Sequence, residues 1–330
     1  MSAPVLVSGA NGFVGSAVVR ALLRHGYAVR SLARPSSDIA NLDGLDIDIV
    51  RGDLLDPASL ERALAGCEGL FHVAADYRLW ARDPRAIRMA NVRGTHNILI
   101  AAARCGVKRI VHTSSVATLG LHGDGTPADE ETPARYADMI GEYKRSKYLA
   151  EKMARRHARV GQDIVIVNPA APVGPRDRKP TPTGRMVLDA ARGKMPAYVD
   201  TGLCVVHVDD VAEGHVLAYE RGACGRRYVL GGENLSLRAI LQLVAGLTGR
   251  QGPWLRLPHT AAMPVAYAAE AWARISGRTP TITVDGVNLA RHHMYFSSHR
   301  AEAELGYRAR PAREALADAI QWFRDNGYCD

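Results

Sequence analysis

Cysteine, lysine and phenylalanine are scarce in this chain of 330 residues, and no long hydrophobic run occurs. The five cysteines (Cys67, Cys105, Cys204, Cys224 and Cys329) are widely spaced, odd in number and form no C-x-x-C pair. That excludes a disulfide framework and a zinc site of the usual spacing, so no metal is expected and a reducing compartment is. No apolar stretch reaches the roughly 18 to 20 residues that cross a bilayer. The start, MSAPVLVSGANG, has neither the basic beginning nor the apolar run of a secretory signal. A cytoplasmic protein without an integral membrane segment is the expectation. Lysine supplies only 6 of the 42 basic side chains, which face 34 acidic ones for a net charge of +8. The bases are scattered, so a nucleic-acid-binding tail or stripe is not expected, although the pI of about 9.4 suits an anionic, phosphate-bearing small molecule. What the chain has in plenty is apolar residues, 47% against 23% charged, enough to bury a sizeable core.

The first half alternates two kinds of segment. Short β-branched runs at Val5–Ser8, Ala28–Leu32, Ile47–Arg51, Gly69–Val73, Arg109–Thr113 and Asp163–Val167 read as buried parallel strands. Helical stretches lie between them at Phe13–His25, Pro57–Ala65, Pro84–Arg104 and Tyr136–Val160. Asp56–Pro57 and Asp83–Pro84 are cap and first-turn pairs, and Gly106 and Gly161 stand where helices end. Such alternation implies an α/β fold, a doubly wound parallel sheet of Rossmann type with right-handed crossovers. Residues 1–168 form the expected dinucleotide-binding domain. Beyond the Pro- and Gly-rich segment 168–184, residues 169–330 form mainly a smaller substrate lobe, with 204–222 returning to the main sheet as a strand end and helix. The apolar stretch His259–Ile275 reads as a core-facing helix of that lobe in preference to a membrane-docking one.

Gly9, Gly12 and Gly15 form G-x-x-G-x-x-G directly after the first strand and at the opening of the first helix. There, absent side chains and a helix N-terminus let backbone N–H groups approach a pyrophosphate. NAD sites usually place an acid at the end of the second strand, but here Ala33 and Arg34 stand in VRSLARPSSD. A guanidinium forks onto a 2′-phosphate, with Ser36 and Ser37 as further donors, so NADP(H) is favoured over NAD. The plain alternative is a solvated surface arginine. Asp53, in RGDLLD, could accept from an adenine amino group while Leu54 covers the ring. Val73, Ala74 and Ala75, in HVAA, keep the end of the fourth strand small under a cofactor.

Tyr143 and Lys147, in YKRSK, lie four apart on one face of a helix. A phenol titrates near pH 10, and a neighbouring ammonium shifts it toward the working range. About 0.2 such Tyr-x-x-x-Lys pairs are expected by chance from this composition. Two occur, the second being Tyr148 with Lys152. The face of Tyr143 carries Ser146, Lys147, Ala150 and Ala154, small neighbours that leave room for a ligand, whereas Tyr148 shares its face with Arg155 and Arg159. Ser115, or its neighbour Ser114, at the end of the fifth strand could polarise a substrate oxygen. Asn91 either holds a water in a proton relay to Lys147 or eases a helix distortion. Tyr77, Trp80, Arg82, Arg176, Arg178, Arg185 and Tyr198 are candidate pocket residues of the variable loops.

GANGFVG (9–15), RGDL (51–54), HVAA (72–75), NVRGT (91–95), HTSS (112–115), YKRSK (143–147) and VHVDD (206–210) resemble the extended short-chain dehydrogenase/reductase superfamily. Within it, ADYRLWARDP (75–84), SSVATLG (114–120), PVGPRDRKPTPTGR (172–185) and MPAYVDTGL (195–203) are similar to hopanoid-associated sugar epimerases, with dihydroflavonol reductase-like proteins as near relatives. The resemblance implies hydride transfer at a secondary alcohol or ketone carbon, with Ser115, Tyr143 and Lys147 as the catalytic set. It implies a cofactor lined by Gly9, Asn11, Gly12, Phe13, Val14, Arg34, Asp53, Leu54, Val73, Ala74 and Ala75 together with Tyr143 and Lys147. Pro169 through Val173 would pass beside the nicotinamide. The implied substrate is a sugar, a nucleotide sugar or another carbonyl compound, and a homodimer through the Pro84–Arg104 and Tyr136–Val160 helices is common in the superfamily. The rival readings are a reductase with net consumption of NADPH and a non-catalytic dinucleotide-binding redox sensor.

Overall fold

The structure, a computed structural model, describes residues 3–78, 80–81, 83–276, 280 and 282–329. Strands β1 (Val5–Ser8), β2 (Val29–Ala33), β3 (Asp48–Arg51), β4 (Gly69–His72), β5 (Arg109–Thr113) and β6 (Ile164–Pro169) fall where the β-branched runs stand. Three short strands follow in the second half: β7 (Ala171–Val173), β8 (Ala197–Val199) and β9 (Gly202–His207). The next, β10 (Arg227–Leu230), joins β1–β6 in a seven-stranded sheet of order β10-β6-β5-β4-β1-β2-β3. Every neighbouring pair in it is parallel.

Alternate strand residues feed two cores. Val5, Val7, Phe71, Val111, Val165 and Val167 pack beneath α1 (Phe13–Arg24) and a later helix, Val208–Arg221. Leu6, Leu70, Ile110, Ile164 and Ile166 pack on the other face, against α2 (Pro57–Leu64) and against helices discussed below. Both faces of the sheet are therefore covered, as near-continuous apolar strands require. Chain order reverses between β1 and β4, and their carboxyl ends diverge into the crevice where such sheets take ligands.

Four expectations on the elements are corrected. Pro84–Arg104 is not one uniform helix. It runs as α3 (Pro84–Arg88), a π-turn over Met89–Arg93 and α4 (Gly94–Arg104). The helix expected from Tyr136 starts instead at Gly141, giving α5 (Gly141–Arg159). Tyr136–Asp138 is a separate 3-10 turn, because Ile140 is extended and Gly141 takes a left-handed φ of 78°. The helix Val208–Arg221 does return to the main sheet. The strand before it does not: β9 pairs with β7, with β11 (Glu233–Ser236) and with His293–Met294 in a second sheet, and Arg227–Leu230 is the strand that completes the first. Among its described side chains the helix His259–Ser276 buries Ala266 and Ala273 alone and turns Tyr267 and Trp272 outward. A core-facing helix would show the reverse. Among the described residues no helix is long and apolar enough to cross a membrane.

Candidate active site

The glycine turn is closed by sterics that admit nothing larger. Gly9 has φ of 71°, and a Cβ there would stand 2.6 Å from Ala74 Cα. A Cβ at Gly15 would stand 2.0 Å from the carbonyl oxygen of Gly9, which itself accepts the Gly12 N–H at 3.0 Å. Helix α1 thus begins at Phe13 with Gly12 as a cap that offers no side chain, and its first N–H groups keep their capacity for an anion. Phe13 is buried and Val14 half-buried beneath the turn. Asn11 does not aim its amide into the turn. Its Nδ2 donates to Asp38 O at 2.9 Å and so fastens the loop after β2.

At the end of β2, Arg34 is exposed and forms no salt bridge among the described residues. Arg51, opposite Ala33 on β3, donates Nη1 to the Arg34 carbonyl at 3.0 Å, so two guanidiniums share this rim. Arg51 escaped the sequence reading because the strand pairing that brings it to Arg34 is not local. Asp53 accepts the Leu55 N–H at 2.8 Å, and Leu54 lies against Gly94, where a Cβ would stand 3.0 Å from Leu54 Cβ. Pro169 ends β6, and the chain crosses through Ala170 to β7, where Val173 is buried.

The polar side chains join into one network. His72 sits between Ser8 Oγ, 2.8 Å from Nδ1, and Thr95 Oγ1, 2.9 Å from Nε2. Thr95 gives its hydroxyl proton to Asn91 O at 2.6 Å, so Nε2 of His72 must carry the ring proton and Nδ1 accepts from Ser8. The side chain of Asn91 accepts from Asp76 N at 2.7 Å and donates to Asp76 O and Ser146 Oγ, both at 2.9 Å. Both amide protons are committed, so the Asn91 side chain, held within a π-helical turn, ties the segment after β4 to α5.

Burial without an anionic partner depresses the His72 imidazole to about 3, with the nearby positive charge of Lys147 adding to the effect. Its folded form therefore binds a proton later than the unfolded chain does. Stability from this group is complete above pH 6.5 and is lost as pH falls toward 3. By pH 5 the loss from His72 reaches about 2 kcal/mol. Thermal unfolding at pH 7.5 and pH 5 should show it, and His72→Gln should shrink that difference by about 2 kcal/mol, His112 and His215, also lowered by burial, keeping the remainder; an equal pH dependence in the variant excludes His72 as a source.

Ser115, Tyr143 and Lys147 are brought to the carboxyl ends of β5 and β6. The Tyr143 phenol is raised by burial and lowered by a hydrogen bond with Ser115, burial being the larger effect. Lys147 is 3% exposed, donates Nζ to Thr113 O at 2.7 Å, and is brought down to about 8 by burial against the opposing pull of Glu151. The two serines differ in what they touch. Ser114 is buried and donates to Glu151 Oε2 at 2.5 Å, whereas Ser115 accepts the Ala117 N–H at 3.1 Å as the cap of the following turn and lies close enough to lower the Tyr143 phenol. Tyr148 points away, its hydroxyl 3.4 Å from Ala134 O, and Lys152 is exposed.

Glu151 was not singled out in the sequence. Its Oε2 also accepts from Thr118 Oγ1 at 2.7 Å and from Asn168 Nδ2 at 2.8 Å, and its Oε1 from Arg227 Nη1 at 3.3 Å. Its position one turn beyond Lys147 was the available signal. Of the candidate pocket residues, Arg176 is committed to Asp209, Tyr77 reaches Lys179 O at 3.5 Å, and Arg178 and Arg185 are exposed. Tyr198 lines a cavity of about 210 Å³ with Arg238 and Arg256, and none of its lining residues belongs to the Ser115–Tyr143 cluster. Trp80 is half-buried, and Arg82 lies outside the described residues.

The sequence profile of the NAD dependent epimerase/dehydratase family matches residues 5–231. The chain belongs to that family. A putative dihydroflavonol 4-reductase from Synechocystis is 47% identical over 98% of this chain and 95% of its own length. The sterol demethylase protein B of Methylococcus capsulatus is 37% identical over 98% of each. The crystal structure of a nucleoside-diphosphate-sugar epimerase from Pseudomonas aeruginosa, PA4631, superposes with a TM-score of 0.82 at 28% identity and covers all of both chains. The expected Rossmann-type α/β fold of the extended short-chain dehydrogenase/reductase superfamily is thus the fold of this epimerase/dehydratase family member, whose relatives are enzymes.

Proposed function

We propose that this family member is an NADP(H)-dependent oxidoreductase that moves a hydride to or from a secondary alcohol or ketone carbon, working in the direction of net carbonyl reduction. The carrying observation is the convergence of Ser115, Tyr143 and buried Lys147, whose Nζ donates to Thr113 O at 2.7 Å, at the sheet's carboxyl edge. NADP(H), when bound, supplies or accepts the hydride. The glycine turn and the α1 N-terminus would hold its diphosphate, with Asp53, Leu54 and Val73–Ala75 around the adenine and ribose and Pro169–Val173 along the nicotinamide side. Ser115 donates to the substrate oxygen, Tyr143 gives it the proton, and the Lys147 charge favours the phenolate that remains.

The reductive direction is supported by the dihydroflavonol 4-reductase relative and by the guanidinium pair at the ribose rim, which suits a 2′-phosphate. Arg34→Ala should raise the KM for NADPH by 10- to 100-fold, the value of about one charged hydrogen bond or two, and leave kcat and the KM for NADH in place. Equal losses with both cofactors would show that Arg34 acts on the fold and not on the phosphate. The family's description supports a second reading, an epimerase that takes its hydride back on the other face of its substrate, which the sequence resemblance would make one of the hopanoid-associated sugar type. Absorbance at the nicotinamide band separates the two: a reductase consumes NADPH one for one with product, and an epimerase ends with its cofactor unchanged. Bound dinucleotide without turnover on any ketone or sugar would favour the redox sensor instead.

A further inference from the structure

The helix His259–Ser276 inverts the usual amphipathic arrangement. Its inward side is small, with Ala266 and Ala273 fully buried one above the other. Its outward side carries Val265, Tyr267, Trp272 and Ile275 at 53%, 61%, 65% and 80% exposure, and among its described side chains the other exposed positions are threonine, alanine, proline and serine. The flanking segments add exposed Trp254 and Ile282. A soluble surface rarely leaves so much contiguous apolar area in water without a partner.

The charge around the helix says which partner. Residues 250–293 contain five arginines against one glutamate and one aspartate. Both acids turn inward: Glu270 accepts the Val284 N–H at 2.8 Å, and Asp285 lies over Gly141, where a Cβ would stand 2.5 Å from its Oδ2. Arg250, Arg256 and Arg291 remain exposed, although Arg256 is answered by Asp200 at 2.7 Å. A two-fold contact with a second copy would set this positive rim against itself, whereas an anionic surface complements it. Tryptophan and tyrosine at the apolar face are the side chains that settle at headgroup depth.

We infer that the outward face of the helix His259–Ser276 docks on the surface of an anionic lipid bilayer, with the aromatic and aliphatic side chains inserted and the arginines among the headgroups. The docked helix would stand beside the substrate side of the site, because Asp285 abuts the first residue of α5, two positions before Tyr143.

Sedimentation of the full chain with vesicles of phosphatidylglycerol and phosphatidylcholine in equal parts tests this. The chain should pellet with the vesicles, and added salt should release it. The triple variant Tyr267→Ser, Trp272→Ser, Ile275→Ser should bind at least about tenfold more weakly. Its circular dichroism and unfolding midpoint should stay those of the parent, since none of the three is buried. A parent chain that stays in the supernatant, or a variant that pellets equally well, overturns the inference. So does a parent that sediments as a dimer and falls to a monomer in the variant.

Discussion

Tyr143→Phe should lower turnover by about 10²- to 10⁴-fold, the span of a lost general acid, while NADPH affinity stays nearly unchanged. The ring is retained, so the packing of α5 is preserved; what leaves is the hydroxyl that Ser115 meets. Ser115 would still polarise the substrate oxygen, but no group would supply the proton, and water would have to replace the phenol. NADPH consumption with a panel of ketones gives the first quantity, and quenching of protein fluorescence by NADPH gives the second. Tyr148→Phe is the matched control, because Tyr148 belongs to the other Tyr-x-x-x-Lys pair and its hydroxyl points to Ala134. Loss in the control with retention in Tyr143→Phe would move the chemistry to the other face of the helix.

Glu151→Ala should cost about 3–5 kcal/mol of stability, the penalty for breaking a buried charged pair and leaving its partners uncompensated. One carboxylate holds Ser114 at the end of β5, Thr118 in the following turn, Asn168 near the end of β6 and Arg227 at the start of β10. Removing it strips acceptors from three buried hydroxyl or amide groups and leaves the Arg227 guanidinium short of an anion. The turn that carries Ser115 loses its anchor at the same time, so turnover should fall along with the denaturation midpoint. Glu151→Gln, which keeps one acceptor oxygen, should fall between the two. An alanine variant as stable as the parent would mean that water or a shifted arginine takes over the carboxylate's place.

The strands of the first half could be read directly, since buried parallel strands are runs of β-branched residues bounded by turns. Each was found within two residues of its expected place. The glycine turn and the Tyr143–Lys147 pair were equally plain, because both depend on spacings of three or four residues along one element. The helix boundary at Gly141 was missed because a glycine can continue a helix or begin one, and here contact with Asp285 from a distant segment goes with the left-handed start.

Spacing along the chain was therefore enough for the elements of the nucleotide-binding half, for the closed glycine turn and for the tyrosine and lysine that share a helical face. Folding in three dimensions decided the rest: that Ser115 and not Ser114 meets Tyr143, that Arg51 joins Arg34, that Glu151 ties three strand ends together, that β9 leaves the main sheet, and that His259–Ser276 turns its aromatics outward. Each of these is a contact between segments remote in sequence, or the orientation of a helix toward partners of its own polarity, and local periodicity carries no record of which distant segment will stand opposite.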